Sequence, residues 1–317
     1  MSRPRISVLM PVYNAERYVA QAVESILTQS YPNFELIIID DGSTDSSPAI
    51  LNHAAGRDSR IRLTSRPNTG YVRALNEALA IAQGELVARM DADDVALPER
   101  FARQVEYLER HPDCLALGSA FELIDPDGAV LARESPPAGQ QEIEARLLRG
   151  LGGLCHPTAM IRREPMAELG GYRQECYGAE DKDLWLRLGE RGGLANLGDV
   201  LLQCRVHEEN FTFTHYEQGM GALRRAVTDA HRRRGLVCPA EPLAEVPLPV
   251  TASERRRQWA WSAIQSGNYS AARKHAWAAW RGSAGARESW VLLAYALLGT
   301  RADALRAAYR RLRGQPP

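Results

Sequence analysis

Two apolar runs of this chain each end in a cluster of aspartates. Residues 37–39 are three isoleucines that lead directly into Asp40 and Asp41, and the run that ends at Met90 leads into Asp-Ala-Asp-Asp at 91–94. A buried parallel strand is apolar throughout, and turn residues follow where it ends. Ligands bind at that carboxyl edge of a parallel sheet. The clusters therefore predict an acidic site at one sheet edge, where carboxylate oxygens suit a hard divalent cation.

Apolar runs alternate with helix-periodic segments through the first hundred residues. This alternation predicts an α/β fold with a mostly parallel sheet and helices on both faces. A later strand, a turn at 125–128 and a return strand make the sheet mixed. From 140 to 205 the pattern is less regular, and its one strongly periodic helix is 181–191. The predicted strands are 6–10, 36–39, 60–64, 85–90, 115–124 and 200–206, and the other predicted helices are 15–27, one from 46, 71–82 and 98–110.

Composition indicates a globular protein with a sizeable core. The chain has 317 residues, of which 45% are hydrophobic. The longest apolar run, 290–298, is too short to span a bilayer, and the first five residues lack the apolar segment of a signal peptide. We therefore expect a cytoplasmic protein. Its five cysteines include no Cys-x-x-Cys pair, which argues against a zinc or redox site.

The net charge of zero conceals an asymmetry between two parts of the chain. Residues 221–317 contain 17 Lys/Arg and 6 Asp/Glu, whereas residues 1–220 contain 22 and 33. An acidic first part is unlike a nucleic-acid-binding surface, so we expect no nucleic-acid partner. The basic second part suits an anionic membrane surface at the inner face of the cell, an anionic acceptor, or the acidic domain of its own chain. The charge count does not choose among these three.

Three regions follow from changes in composition. We predict a catalytic domain at 1–220, a helix with a Pro-rich linker at 221–250, and an α-helical region at 251–317. Within the last region, 261–276 resembles a tetratricopeptide helical pair, although one partial repeat does not establish an array. We expect a small helical appendage that packs on the catalytic domain or forms a homo-oligomer through its helices.

Six short motifs occur in a fixed order between residues 4 and 212. Together they resemble the inverting family 2 glycosyltransferases of the GT-A (nucleotide-diphospho-sugar transferase) fold. The resemblance implies transfer of a sugar from a nucleotide-sugar, most plausibly UDP-linked, to a hydroxyl of a glycan or lipid-linked glycan in cell-surface polysaccharide synthesis. The motifs are Pro11-Val12-Tyr13-Asn14, Asp40-Asp41-Gly42-Ser43, Asn68-Thr69-Gly70-Tyr71-Val72-Arg73, Asp91-Ala92-Asp93-Asp94, Glu180-Asp181 and Arg205-Val206-His207.

Such a transfer requires charge neutralisation at the departing diphosphate and removal of a proton from the attacking hydroxyl. By resemblance, Asp93 ligates Mn²⁺ or Mg²⁺ with help from His207, and Asp181 is the catalytic base. The alternative for the aspartate cluster is a turn that caps the helix starting at Pro98. For the pair formed by Asp181 and Glu180 the alternative is stabilisation of a helix dipole, and for His207 it is a structural or solvent-facing role.

The resemblance also places seven residues at the nucleotide-sugar: Pro11, Tyr13, Asn14, Asp40, Asp41, Arg73 and Asp91. Of these, either Asp40 or Asp41 would contact the nucleobase; we favour Asp41, with a loop-holding role as the alternative for Asp40. Asp91 would lie near the ribose. Tyr13 could stack beneath the base, and Arg73 would contact the nucleotide end of the donor. Taken alone, each of these residues is more typical of an ordinary turn or a solvated surface.

Two further residues and two other protein classes complete the prediction. Glu180 and Trp185 would lie near the sugar or acceptor, with core packing as the alternative for Trp185. A sugar-phosphate nucleotidyltransferase would share the sheet architecture, but the start of this chain lacks the Gly-rich phosphate loop of that class. A non-catalytic scaffold that works through its Trp-rich tail is the other alternative, and the intact acidic set argues against it.

Overall fold

The computed structural model describes residues 3–208, 210, 216–238, 251–283 and 286–301. The chain forms two compact units. The first comprises Met1–Phe121, Glu134–Cys204 and Phe211–Val246, and the second comprises Glu122–Arg133, Arg205–Asn210 and Pro247–Pro317. The predicted Pro-rich linker at 239–249 lies outside the described residues, as does 302–317 of the predicted helical region. The predicted domain boundaries and the tetratricopeptide likeness stay predictions.

A nine-stranded sheet has the order β3-β2-β1-β4-β8-β6-β9-β5, and β7 pairs with β6. The first four strands are parallel neighbours, whereas β8 is antiparallel to β4 and to β6. The sheet is therefore mixed, as predicted. The strands are β1 (Ile6–Val12), β2 (Phe34–Asp40), β3 (Ile61–Ser65), β4 (Leu86–Arg89), β5 (Val95–Ala96), β6 (Cys114–Ile124), β7 (Val130–Glu134), β8 (Met160–Arg162) and β9 (Gly193–Arg205).

The helices alternate with the strands in the first half of the chain, and among the described residues only helices follow β9. The helices are α1 (Val19–Leu27), α2 (Ser47–Arg57), α3 (Tyr71–Ile81), α4 (Arg100–Arg110), α5 (Gln140–Leu148), α6 (Arg163–Glu168), α7 (Glu180–Gly189), α8 (Tyr216–Arg233), α9 (Ala252–Gln265), α10 (Tyr269–Gly282) and α11 (Arg287–Leu298). The predictions of α1 to α4 and α7 are confirmed within a few residues, but the segment 140–205 is more regular than predicted, since it also contains α5, β8 and α6.

Both faces of the central strands are buried. In β2, Ile37 and Ile39 pack in one apolar cluster, and Ile38 between them packs in a second cluster on the opposite face. Successive side chains of a strand point to opposite faces, so a strand covered by helices on both sides reads as a continuous apolar run. This burial fixes the strand ends, and hence the polar segments that follow β1, β2 and β4 at one edge of the sheet.

In the second unit, helices α9 to α11 share an apolar core with the β6–β7 turn. Asp125, in this turn, is fully buried and accepts hydrogen bonds from the backbone N–H of Ala129 and from His275 Nε2 at 2.8 Å. Lys274 Nζ lies 2.5 Å from the same carboxylate. Burial raises the pKa of Asp125, but the hydrogen bonds from His275 and Lys274 outweigh it and hold that pKa well below its usual range.

Among the described residues, no helix combines the length and the apolar character that crossing a bilayer requires.

Candidate active site

Three aspartates follow β4 directly. Asp91, Asp93 and Asp94 each offer a carboxylate oxygen, and these oxygens all lie within 4.8 Å of one another. Asp91 and Asp93 are half-buried, whereas Asp94 is buried. The strand positions them, because pairing with β1 continues to the last residue before the cluster, where Met90 N donates to Leu9 O at 3.1 Å. Glu99 occupies the N-cap position of α4, so none of these aspartates caps that helix.

Two buried arginines hold the base of this loop. Arg89, the last residue of β4, makes an ion pair with Asp91. Arg100, fully buried in the first turn of α4, donates from Nη2 to Arg89 O at 2.8 Å and to Ala159 O at 3.3 Å. A buried guanidinium with several donors can fix backbone carbonyls from separate segments at once. Arg100 of α4 therefore fixes the backbone that leads into the aspartate cluster.

The electrostatics of Asp91 connect the cluster to the start of α7. Burial raises the pKa of Asp91 above its ordinary value; Arg89 opposes this rise, and repulsion from Asp93 and Asp181 adds to it. An opposite charge at the cluster would reverse the effect, since a cation favours the ionised form of a carboxyl group. Asp181, which is 90 residues away in sequence from Asp91, thus belongs to the same acidic site.

The donor atoms of the site fit a hard divalent cation. Three carboxylates supply oxygen ligands, which Mg²⁺ and Mn²⁺ prefer. Cys204 also lies near the cluster, but a hydrogen bond with Cys155, burial and repulsion from Asp93 raise the pKa of its thiol well above the usual value. The three carboxylates are the ligand group that the structure brings together, and their oxygens match a hard cation.

Asp40 and Asp41 close β2 and brace two loops. Asp41 Oδ1 accepts from Thr69 N at 2.8 Å, and Oδ2 accepts from Gly70 N at 2.9 Å. Arg66 makes an ion pair with the same carboxylate. Asp40 Oδ1 accepts from Ser43 N at 3.1 Å, which agrees with its predicted loop-holding role. The nucleobase contact of Asp41 stays a prediction, and its carboxylate also fixes the loop that leads into α3.

The loop after β1 is tied to the loop after β2. Asn14 has a positive φ of 47°, which is uncommon for a residue other than glycine. Its Oδ1 accepts from Thr44 N at 2.8 Å, and its own N–H donates to Ser43 Oγ at 3.0 Å. This anchoring leaves the neighbouring Tyr13 53% exposed, as a side chain that stacks on a ligand must be.

The remaining predicted donor-binding residues differ in their exposure. Pro11 is buried within β1 and pairs in register with Ile39 of β2, so it shapes the strand end. Arg73 is exposed in the first turn of α3. A guanidinium at a helix N-terminus is well placed to meet an anion. Its contact with the donor stays a prediction.

Glu180 lies in a buried hydrogen-bonded cluster at the start of α7. Its Oε2 accepts from Tyr71 Oη at 2.5 Å and from Gly178 N at 3.0 Å, and its Oε1 lies 3.6 Å from His156 Nδ1. Burial raises the pKa of Glu180 to about 7, repulsion from Asp181 adds to the rise, and the Tyr71 hydrogen bond opposes it. Burial also keeps the pKa of His156 well below its usual value, so this histidine is neutral.

Three acidic residues open α7, and their surroundings differ. Glu180 is buried in the cluster just described, and Asp183 is fully buried in ion pairs with Arg173 and Arg187. Asp181 is half-buried, so part of its side chain reaches solvent. Of the three, Asp181 is therefore the carboxylate that an incoming ligand can reach. The lower burial of Asp181 favours a role as a base over the alternative that the acidic residues only stabilise the helix dipole.

Trp185 and His207 complete the predicted set. Trp185 is fully buried in the core of the first unit, and its ring packs edge-on against His156 at 6.0 Å between centroids. This position agrees with the core alternative. His207 follows the end of β9 and belongs to the second unit, where its backbone N–H donates to Asn210 Oδ1 at 2.5 Å. Its part in metal binding stays a prediction.

Comparison with known proteins identifies the family. Residues 7–170, more than half of the chain, match the sequence model of glycosyl transferase family 2. The chain belongs to glycosyl transferase family 2. It is 38% identical over 215 residues to the putative glycosyltransferase EpsE of Bacillus subtilis, covering 66% of this chain and 76% of EpsE. It is 33% identical over 228 residues to the O-antigen biosynthesis glycosyltransferase WbnJ of Escherichia coli, covering 69% of this chain and 87% of WbnJ. It is 32% identical over 205 residues to the amylovoran biosynthesis glycosyltransferase AmsE of Erwinia amylovora, covering 63% of this chain and 76% of AmsE.

Solved glycosyltransferase structures share the fold. TarS 1-349 of S. aureus in complex with UDP-GlcNAc superposes with a TM-score of 0.59 at 18% identity, covering 98% of this chain and 92% of that TarS fragment. The mannosyltransferase PcManGT of Pyrobaculum calidifontis, in complex with GDP-Man and Mn²⁺, gives a TM-score of 0.57 at 22% identity, covering 98% and 84%. The predicted GT-A fold and glycosyltransferase class are confirmed, which sets aside the nucleotidyltransferase and scaffold alternatives.

Several residues that support this family 2 glycosyltransferase site were not predicted from the sequence, among them Arg89, Arg66 and Tyr71. Arg89 carried a usable signal, since a charged residue inside an otherwise apolar strand must find a partner at the strand end. The contacts of Arg66 and Tyr71 had no such signal, because their partners lie far away in the chain, although Tyr71 belongs to one of the six motifs. Arg66 is 25 residues from Asp41, and Tyr71 is 109 residues from Glu180.

Proposed function

We propose that this glycosyltransferase transfers a sugar, with inversion and with dependence on Mn²⁺ or Mg²⁺, from a UDP-sugar to a hydroxyl of a glycan or lipid-linked glycan during synthesis of a cell-surface polysaccharide. One observation carries the proposal. The accessible carboxylate of Asp181 acts electrostatically on Asp91, in a cluster of three aspartates whose oxygens lie within 4.8 Å of one another. A proton acceptor and a set of cation ligands thus belong to one site.

The donor and acceptor classes are supported by the proteins that this chain resembles. TarS has been crystallised with UDP-GlcNAc and with UDP, and PcManGT with GDP-Man and Mn²⁺. These complexes support a nucleotide-sugar donor, and our choice of UDP over GDP is to be tested. The relatives WbnJ and AmsE are named for O-antigen and amylovoran biosynthesis, and both products are polysaccharides. A glycan hydroxyl is accordingly the proposed acceptor.

Each residue has a distinct task in the proposed reaction. Asp93, with Asp91 and Asp94 beside it, would hold the cation. When bound, a divalent cation neutralises charge on the departing diphosphate. Asp181 accepts the proton of the acceptor hydroxyl as that oxygen attacks the anomeric carbon. Because one base acts and no residue forms a covalent intermediate, the new bond forms on the face opposite the departing diphosphate, which inverts the configuration.

The first test is calorimetric titration with UDP, GDP and dTDP, with and without Mn²⁺. We expect the wild type to bind UDP in a metal-dependent manner and Asp93→Ala to lose at least about tenfold in affinity, because a cation ligand is missing. Asp181→Ala should bind UDP like the wild type but lose roughly a hundredfold or more in transfer rate. Asp199→Ala is the matched control, since Asp199 is a surface aspartate that pairs with Arg103.

Each part of the proposal can be contradicted separately. Tighter metal-dependent binding of GDP or dTDP would change the proposed donor class. UDP binding that depends neither on Mn²⁺ nor on Asp93 would contradict the proposed metal site. Equal loss of binding and transfer in folded Asp181→Ala would refute its role as the base. The anomeric configuration of the product, measured by NMR, tests inversion separately.

A further inference from the structure

Helix α11 is apolar on two opposite sides. Its inner side contributes Leu292, Leu293 and Ala296 to the apolar core of the second unit. The other side, which we call the outer face of α11, is exposed, and between 290 and 298 all of its residues are apolar. Surface helices normally present polar side chains to water, so this face is suited to an apolar environment. The outer face consists of Trp290, Val291, Ala294, Leu297 and Leu298.

Helix α10 extends this surface with aromatic and basic side chains. Trp277 is 50% exposed, and Arg273 and Arg281, one turn before and after it, are also exposed. The ring of Trp277 lies 4.9 Å from that of Trp280, which in turn lies 5.2 Å from Trp290 of α11. The tryptophans therefore join the two helices into one continuous surface, flanked by two arginines.

The charge around this surface is positive. Helix α10 contains no Asp or Glu, and its Lys274 is already paired with Asp125 of the β6–β7 turn. The one acidic residue of α11, Glu288, lies 3.7 Å from Arg257 Nε. The exposed Arg273 and Arg281 therefore add positive charge to this surface. Pairing with a second copy would oppose identical positive charges, whereas an anionic partner would neutralise them.

An apolar stripe with tryptophan and arginine beside it matches one kind of partner. Indole rings and arginine side chains combine an apolar body with a polar end, which suits the boundary between lipid headgroups and acyl chains. Leucine and valine can enter that boundary, while each basic residue near the surface gains from anionic headgroups. A peptide or protein partner would need both an apolar groove and acidic residues at two fixed points.

We propose that the outer face of α11, together with Trp277, Arg273 and Arg281 of α10, binds the surface of an anionic lipid bilayer. Leu297, Leu298 and Trp290 enter the headgroup region, and the arginines pair with lipid phosphates. The contact is peripheral, because α11 has 12 residues and cannot span a bilayer. It is independent of the proposed donor chemistry, since it involves neither the acidic site nor a nucleotide.

Vesicle flotation of the full chain without donor or acceptor tests this inference. We expect binding to phosphatidylcholine vesicles that contain about one third phosphatidylglycerol, and at least about tenfold weaker binding to pure phosphatidylcholine or at high salt. Arg273→Ser/Arg281→Ser should weaken binding at least about tenfold, through loss of two lipid-facing charges. Arg224→Ser/Arg225→Ser, two exposed arginines of α8, removes the same charge from the first unit and should bind like the wild type.

The apolar part of the surface is tested by a second matched pair. Leu297→Ser/Leu298→Ser should reduce vesicle binding about tenfold or more, whereas Leu236→Ser/Val237→Ser, which changes two exposed apolar residues of the first unit, should not. Should the first pair impair folding, vesicles with brominated acyl chains provide a test on the wild type. Their quenching of tryptophan fluorescence requires indole rings at the depth of the acyl chains.

Three results would overturn the inference. The first is absence of wild-type binding to anionic vesicles at low salt. The second is an equal loss in both double-arginine variants, which would reduce the effect to net charge. The third is a dimer in sedimentation velocity that Leu297→Ser/Leu298→Ser dissociates, combined with no vesicle binding, which would make the outer face of α11 an interface between two copies.

Discussion

Adjacent carboxyl groups at the start of α7 have opposite surroundings. Glu180 is buried and accepts hydrogen bonds from Tyr71 and Gly178, whereas Asp181 reaches solvent. Burial raises the pKa of Glu180 to about 7, so near neutral pH this residue is partly protonated. A protonated Glu180 does not compete with Asp181 for the proton of an acceptor. One turn of helix can thus present a single active base although three acidic residues open it.

The raised pKa of Glu180 predicts that the difference in free energy of unfolding between the wild type and Glu180→Gln depends on pH. A carboxyl group with a raised folded pKa stabilises the fold below its unfolded pKa, near 4.3, and loses that contribution as the pH rises towards about 7. Glutamine cannot ionise. The free energy of unfolding of Glu180→Gln should therefore rise relative to the wild type between pH 5 and pH 8, by on the order of 2 kcal/mol.

Urea unfolding at both pH values, in the presence of a metal chelator, measures this difference. The exposed Glu175→Gln in the preceding turn is the control and should show no such change between the two pH values. A constant difference between Glu180→Gln and the wild type would show that Glu180 is ionised throughout the range.

At the scale of single elements, α4 supports the end of β4. Arg100 is buried at the start of α4, and its guanidinium donates to carbonyl oxygens at Arg89 and Ala159. Burial lowers the pKa of Arg100 to about 9, with the charge of Asp94 opposing the shift. Retaining a cation at this desolvated position is costly unless its hydrogen bonds are needed. We infer that the need is to hold the backbone from which the aspartate cluster follows.

Arg100→Met should therefore be strongly destabilising. Methionine fills a similar volume but leaves buried carbonyl oxygens without donors, at about 1–3 kcal/mol for each unsatisfied group. We expect a loss of about 3 kcal/mol in the free energy of unfolding, measured by chemical denaturation. Arg103→Met, one turn further along the same helix, removes only surface contacts with Glu106 and Asp199 and should change it by less than about 0.5 kcal/mol. Equal stability of the two variants would contradict the supporting role of Arg100.

The sequence predicts an element well when burial of the element shows in its own residues, and poorly when the element depends on pairing with a distant segment. The parallel strands β1, β2 and β4 are covered on both faces, so their apolar runs located them and the acidic cluster that follows. The prediction of β9 at 200–206 was too short, since the strand begins at Gly193. Its first half mixes buried and half-buried residues without strict alternation. The two-residue β5 exists only through its pairing with β9, which no local pattern indicates.

The site follows the same rule. Aspartates at strand ends were predicted because strand topology alone brings them together. The Tyr71 to Glu180 hydrogen bond and the Arg66 to Asp41 ion pair depend instead on how α3, its preceding loop and α7 pack, and no spacing in the sequence encodes that packing.

At the scale of the whole molecule, a buried carboxylate organises the second unit. Asp125 accepts hydrogen bonds from backbone N–H groups of its own turn at Asp127 and Ala129 and from Lys274 and His275 of α10. These contacts join segments that are about 150 residues apart in the chain. The core of this unit is small and rich in alanine, so a buried polar network carries a larger share of its specificity.

Asp125→Asn should loosen the second unit selectively. Asparagine retains an acceptor for the turn but removes the charge that pairs with Lys274. Because the Lys274 side chain is 40% exposed, the loss should be smaller than the about 3–5 kcal/mol of a fully buried ion pair. Hydrogen exchange followed by mass spectrometry should show faster exchange in α10 and unchanged exchange in α1 and α3. Asp127→Asn, at an exposed partner of the same lysine, is the control and should change little. Faster exchange throughout the chain would contradict a local role.

The lowered pKa of Asp125 gives this prediction a pH dependence. A depressed pKa stabilises the fold at pH values above the unfolded pKa, near 3.9, and the contribution is lost as the pH falls below that value. The difference in exchange between the wild type and Asp125→Asn should therefore persist from neutral pH to about pH 4.

The second unit is assembled from three separate stretches of chain, of which the last alone lies at the C-terminus. Its apolar core includes Leu131, and its buried carboxylate is Asp125, both inserted in the sequence of the first unit. A gene fusion or a deletion that cuts near residue 250 would separate the helices from these residues. The helical region therefore cannot be transferred by itself to another catalytic domain. We expect evolution to have retained it together with the β6–β7 turn or lost both, rather than exchanging it among unrelated catalytic domains.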